Sequence, residues 1–118
     1  MNQSRLVYLC DLNDLPDGAS RGFKSETRNV FVLNQQGNVF VYHNRCPHLG
    51  IPLEWEDDQF FDASKTLIQC ANHSALFVIN TGQCVAGPCI GRKLTAIPYT
   101  ILNNQIWISS PESKSQTY

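Results

Sequence analysis

Apolar residues come in short runs along this chain, and polar or turn-forming residues separate them. Arg5 to Cys10 predicts a first strand. Asp11 to Gly22 is polar and broken by Pro16, Gly18 and Gly22, so it reads as a loop. Val30–Leu33 and Val39–Tyr42 are β-branched and aromatic runs, the composition of strands. Between them Asn34-Gln35-Gln36-Gly37-Asn38 predicts a hairpin, with Gly37 able to take positive φ. Thr66–Gln69 leads into Cys70, and Ala75–Ile79 leaves the segment that follows. Asn80-Thr81-Gly82-Gln83 predicts a second hairpin turn. Leu94–Leu102 and Gln105–Ser109, joined by Asn103-Asn104, predict a closing hairpin whose Pro98 belongs at an edge or a bulge. Residues 111–118 are polar and read as a frayed tail. No repeat, linker or long helix interrupts this series of strands and turns.

Two short motifs change the picture from fold to chemistry. They are Cys46-Pro47-His48 and Cys70-Ala71-Asn72-His73. Each offers one thiolate and one imidazole within a few residues. Two thiolates and two imidazoles are the ligand set of a Rieske-type [2Fe–2S] centre, in which His replaces Cys on one of the two irons. Zinc is the competing metal, but a Cys2His2 zinc site pairs its cysteines at one end and its histidines at the other. Here each motif holds one of each, so both cysteines are available to one iron and both histidines to the other. The remaining reading is four ordinary buried side chains.

The residues around the motifs carry a resemblance. Residues 45–55 read Arg-Cys-Pro-His-Leu-Gly-Ile-Pro-Leu-Glu-Trp. Residues 69–89 read Gln-Cys-Ala-Asn-His-Ser-Ala-Leu-Phe-Val-Ile-Asn-Thr-Gly-Gln-Cys-Val-Ala-Gly-Pro-Cys. The chain resembles the Rieske ferredoxin family, the small carriers of bacterial aromatic-ring dioxygenase systems, over about residues 5–110. The resemblance implies an all-β fold, a Rieske-type antiparallel β sandwich with a cluster-binding loop subdomain. It implies one [2Fe–2S] cluster per chain on Cys46, His48, Cys70 and His73. It also implies a one-electron carrier rather than an enzyme, with a reductase as donor and an oxygenase or other oxidoreductase as acceptor. Two other roles stay open: a Rieske-like subunit of a larger oxidoreductase such as a nitrite reductase, and an iron–sulfur redox sensor.

Composition narrows these roles. The 118 residues suit one domain spanning 1–118, with a core at about 5–110. A formal net charge of −1 gives no electrostatic case for nucleic acid. No apolar run is long enough to span a membrane. The N-terminal Met1-Asn2-Gln3-Ser4-Arg5 lacks the plan of a signal peptide. Five cysteines with two assigned to iron leave Cys10, Cys84 and Cys89, which fits a reducing cytoplasm better than a disulfide framework. No G-x-G-x-x-G follows a strand, so no nicotinamide or flavin site is expected.

Smaller features are read against plain alternatives. Pro47, Gly50 and Pro52 shape the first ligand loop. Gly87-Pro88 resembles the family's third, cluster-covering loop or is a plain turn. His43 reads as a packing or solvent-facing residue. Cys84 and Cys89 read as small core residues rather than a disulfide or metal pair. Trp55 and Phe60-Phe61 read as core fillers or a shield for the cluster base. High-potential Rieske proteins carry an extra cysteine in each loop, joined as a disulfide, where this chain has Ile51 and Asn72. They also carry hydroxyl donors two and four residues after the second histidine, where this chain has Ala75 and Phe77. Fewer hydrogen bonds to the cluster imply a potential at the low end of the Rieske range. Ala71 and Ser74 depart from the family's usual Pro and Gly, which bears on the fine tuning of that potential.

Overall fold

The run Val30–Leu33 has no polar face to turn toward water, and the fold covers both of its sides. This is a computed structural model, and it describes residues 5–24, 29–45, 58–70, 75–87 and 89–110. Residues 46–57 and 71–74, which hold most of the two candidate ligand motifs, and residues 111–118 lie outside the described residues. Nine strands are described: β1 (Arg5–Asp11), β2 (Ser20–Lys24), β3 (Asn29–Gln35), β4 (Asn38–His43), β5 (Leu67–Gln69), β6 (Leu76–Val78), β7 (Cys84–Ala86), β8 (Tyr99–Leu102) and β9 (Gln105–Ser110). All pair antiparallel, in three sheets ordered β1-β9-β8, β2-β3-β4 and β5-β6-β7. No described helix is long and apolar enough to cross a membrane.

The β2-β3-β4 sheet is the middle layer. Successive strand residues point to opposite faces, and here each face meets its own core. Val30, Val32, Val39 and Val41 pack with Cys10, Leu15, Ile106 and Ile108, toward the β1-β9-β8 sheet. Phe31, Leu33 and Tyr42 pack the other way, with Phe60, Phe61, Ile68, Cys70, Ala75, Phe77, Ile79, Cys84, Cys89 and Leu94. Phe31 stacks on Phe60 with ring centroids 4.3 Å apart. A strand buried on both faces shows as a continuous apolar run rather than an alternation.

Both tight hairpins use two-residue turns. Gln36 and Gly37 have φ of 55° and 86°, and Asn103 and Asn104 have 52° and 64°. Two successive positive φ values are the type I′ geometry that matches strand twist.

Three boundaries differ from the sequence reading. The loop expected from Asp11 to Gly22 contains a 3-10 turn at Leu12–Asp14 and already enters β2 at Ser20. As an edge strand, β2 has no alternation strong enough to read, and its pairing to β3 overrides the breaker Gly22. The second hairpin turn leads into β7, whose bounds the sequence does not mark, because three residues carry no measurable period. Leu94–Leu102 is not one strand. Ala96 bridges to Tyr42 of β4, Pro98 interrupts, and β8 then pairs with β9. That segment therefore hands the chain from the middle sheet to the outer one.

Candidate metal centre

Strand direction alone brings the ends of the two candidate ligand loops together. Residues 60–62 run antiparallel to β5: Gln69 N–H donates to Phe60 O at 3.0 Å, Phe61 bridges Ile68, and Asp62 N–H donates to Leu67 O at 2.8 Å. Asp58, where the described chain resumes after the first loop, therefore lies at the end of the ribbon where Cys70 leaves β5. Cys70 N–H donates to Ala75 O at 2.9 Å, and Gln69 faces Leu76, so this pair closes the β5–β6 hairpin at the mouth of the second loop. Leu76 faces Ala86, which brings Gly87 to the same end.

β4 runs toward that end as well. Its His43 N–H donates to Thr95 O at 2.9 Å, and Tyr42 bridges Ala96. Residues 92–94 in turn pair with 82–84, through Cys84 N–H to Arg92 O at 3.0 Å and Leu94 N–H to Gly82 O at 2.9 Å. Following these antiparallel registers, β4 past His43 and β7 past Cys84 advance in the same direction. Asp58, Cys70, Ala75 and Gly87 are thus gathered at one end of the β5-β6-β7 sheet, the end toward which β4 runs.

Of the four candidate ligands, Cys70 is the one among the described residues. It is fully buried in the inner core. Cys46, His48 and His73 lie outside the described residues, as do Trp55 and Pro88. Cys84 and Cys89 are buried and not joined in a disulfide. The Cys84 thiol donates to Ala86 O at 3.1 Å. Phe60 and Phe61 fill the inner core, and His43 ends β4 half-buried.

One anchor had no sequence signal. Asp58 adopts φ 62°, rare for a residue with a side chain. Its Oδ1 accepts Gly22 N–H at 2.8 Å, and its carbonyl accepts the Ser20 hydroxyl at 2.6 Å. Ser20 Oγ also accepts Phe60 N–H at 3.3 Å. The outer edge of β2 thus clamps the far end of the first loop. In the sequence Asp58 is simply the last of three consecutive acidic residues. At the near end, buried Asn44 is held through its N–H to Asn29 O at 2.7 Å.

Geometry and sequence together define an all-β protein in which Asp58, Cys70 and Ala75, which border the segments holding the two cysteine–histidine motifs, meet at one end of a small sheet. Residues 5–104 match the family described as the Rieske [2Fe-2S] domain, and the chain belongs to that family. It is 28% identical over 99 residues to sulredoxin of Sulfurisphaera tokodaii, covering 80% of this chain and 86% of that one. It is 23% identical over 108 residues to the ferredoxin component of the naphthalene 1,2-dioxygenase/salicylate 5-hydroxylase systems of a Ralstonia species, covering 92% and 97%. The solved Sphingomonas yanoikuyae B1 ferredoxin superposes with TM-score 0.71 at 28% identity, covering 91% of this chain and all of that one. The Ralstonia and Sphingomonas relatives, matched along 97% and 100% of their own length, are ferredoxins, and this chain is an electron carrier of that kind rather than an enzyme.

The cofactor of this family is a [2Fe–2S] cluster, and the described surroundings suit it. Cys70 sits among Ala75, Phe77 and Cys89 in an apolar core. A bare thiolate is disfavoured in such a setting, whereas an iron-bound one has its charge compensated.

Proposed function

We propose that Cys46 and Cys70 ligate one iron of the cluster and His48 and His73 the other, in a single domain formed by the whole chain. The observation that carries this reading is the convergence of Asp58, Cys70 and Ala75 at one sheet end, with Cys70 buried there. When bound, the cluster takes up and releases one electron at a time. The chain's own residues set the terms of that exchange. Short spacing within each motif lets one loop deliver both of its ligands. The Cys70–Ala75 hydrogen bond holds the mouth of the second loop, and the Asp58 clamp holds the exit of the first. Buried Phe77 and Ala75 keep the base of the site apolar.

The donor is a reductase and the acceptor an oxygenase or another redox enzyme, in the cytoplasm. Support comes from relatives of this size, which include the ferredoxin component of a dioxygenase system. The test is purification without oxygen damage, with iron and acid-labile sulfide assayed per chain. Two of each, the composition of such a cluster, is the expected result. Zinc as the only stoichiometric metal would overturn the reading.

A further inference from the structure

Gly87 lies against the backbone of the second ligand loop's exit. It has φ +90°, and a Cβ on it would sit 2.8 Å from Ala75 Cα and 3.2 Å from Ala75 N and Cβ. Non-bonded carbons meet comfortably at about 3.5–4.0 Å, so no side chain fits there without movement. Ala75 is itself fully buried, and its carbonyl receives the Cys70 N–H. A bulge makes this approach possible. Leu76 faces Ala86 while Phe77 faces Cys84, so Val85 is the extra residue and is left half-exposed. A bulge bends its strand, and here the strand leads directly to Gly87. On the same loop Gly91 has φ +96°, yet a Cβ there would meet nothing within 4 Å.

We propose that Gly87 is a positioning residue for the cluster. The third loop rests its backbone on Ala75 and so fixes the hairpin mouth that delivers Cys70 and His73. The proposal rests on the assignment of those two residues as ligands. A side chain at position 87 must either push Ala75 away from Cys70 or lift the third loop off the second. Both responses change the setting of the cluster without touching a ligand.

The experiment compares the cluster-loaded wild type with Gly87→Ala, Gly91→Ala and Cys70→Ser. The readouts are the EPR g-values of the reduced protein, its potential, and the rate of cluster loss in air. Gly91→Ala carries a similar backbone penalty without the contact, and is expected to match the wild type in g-values and potential. Gly87→Ala is expected to shift both and to lose its cluster several-fold faster. Wild-type g-values and potential in Gly87→Ala, or equal changes in Gly91→Ala, would overturn the proposal. If Gly87→Ala does not accumulate folded, deletion of Val85, the half-exposed extra residue of the bulge, decides. It alters how Gly87 is set on Ala75 and is expected to shift the g-values and potential, and wild-type values there count against the proposal. Cys70→Ser separates the two levels. If it keeps its cluster, the ligand assignment fails. If it loses the cluster while Gly87→Ala is unaffected, the positioning role alone fails.

Discussion

The hydroxyl of Tyr42 donates to the carbonyl of Ile79 at 2.6 Å, inside the protein. This bond ties β4 of the middle sheet to the end of the hairpin arm that carries Cys70. Burial raises the Tyr42 phenol above its ordinary pKa, so the hydroxyl stays a donor across the physiological range. Tyr42→Phe leaves a buried carbonyl without its partner, which costs about 1–3 kcal/mol. The melting midpoint should fall by several degrees in a chain of this size. An unchanged midpoint by calorimetry would mean that the bond contributes nothing in solution.

The cysteines should separate cleanly by role. Cys46→Ser and Cys70→Ser are expected to lose the cluster. Cys84→Ser and Cys89→Ser are expected to keep its visible spectrum, because both positions belong to the packed core and not to the proposed ligand set. Absorbance and iron content of the four purified variants check this. Cluster loss confined to Cys84→Ser or Cys89→Ser would reverse the assignment.

The potential is expected near about −150 mV, the low end of the Rieske range, and nearly flat between about pH 6 and 8. The reason is side-chain chemistry just after the second motif. Ala75 and Phe77 are both fully buried, and neither carries a hydroxyl to stabilise the more negative reduced cluster. Ala75→Ser and Phe77→Tyr should each raise the potential. Protein-film voltammetry gives the answer. A wild-type value above about +200 mV, or a slope near ~59 mV per pH unit at neutrality, would contradict the account.

Far from the site, Tyr8 donates to Asp11 Oδ1 at 2.7 Å, and this bond, with the charge behind it, pushes the Tyr8 phenol up to about 12. A raised folded pKa favours the protonated phenol, so its contribution to stability is complete below the unfolded value near ~10. It is lost as pH rises from there through about 12. Asp11→Asn removes the charge and should move the Tyr8 titration back toward its ordinary range. Phenolate absorbance followed through alkaline titration of wild type and Asp11→Asn tests this, and superimposable curves would count against it.

The parts of this fold legible in the sequence are those fixed by local chemistry. Gly37, Asn103 and Asn104 are residues that tolerate positive φ, and both turns form where they stand, Gln36 being carried into the left-handed region by its turn. Val30–Leu33 reads as a strand because both of its faces are buried. β2 and the bounds of β7 were not legible, because both are imposed by pairing to β3 and β6 rather than by their own residues. The residue types and spacing of Cys46, His48, Cys70 and His73 are what raise the proposal of a Rieske-type centre over zinc. The supports do not show in the same way. Asp58 works through partners at Ser20 and Gly22, and Gly87 through a bulge that sets it on Ala75. Such contacts exist only once the register is known.

The most direct test of the central claim is pulsed EPR on the dithionite-reduced protein, prepared with natural-abundance and with 15N-labelled histidine. Two histidine ligands on one iron predict nitrogen couplings from two imidazoles that change on labelling. Those couplings should be altered in His48→Cys and His73→Cys, where a thiolate takes the place of one imidazole. A reduced cluster without histidine nitrogen coupling, or one that both variants leave unchanged, would contradict the assignment of His48 and His73.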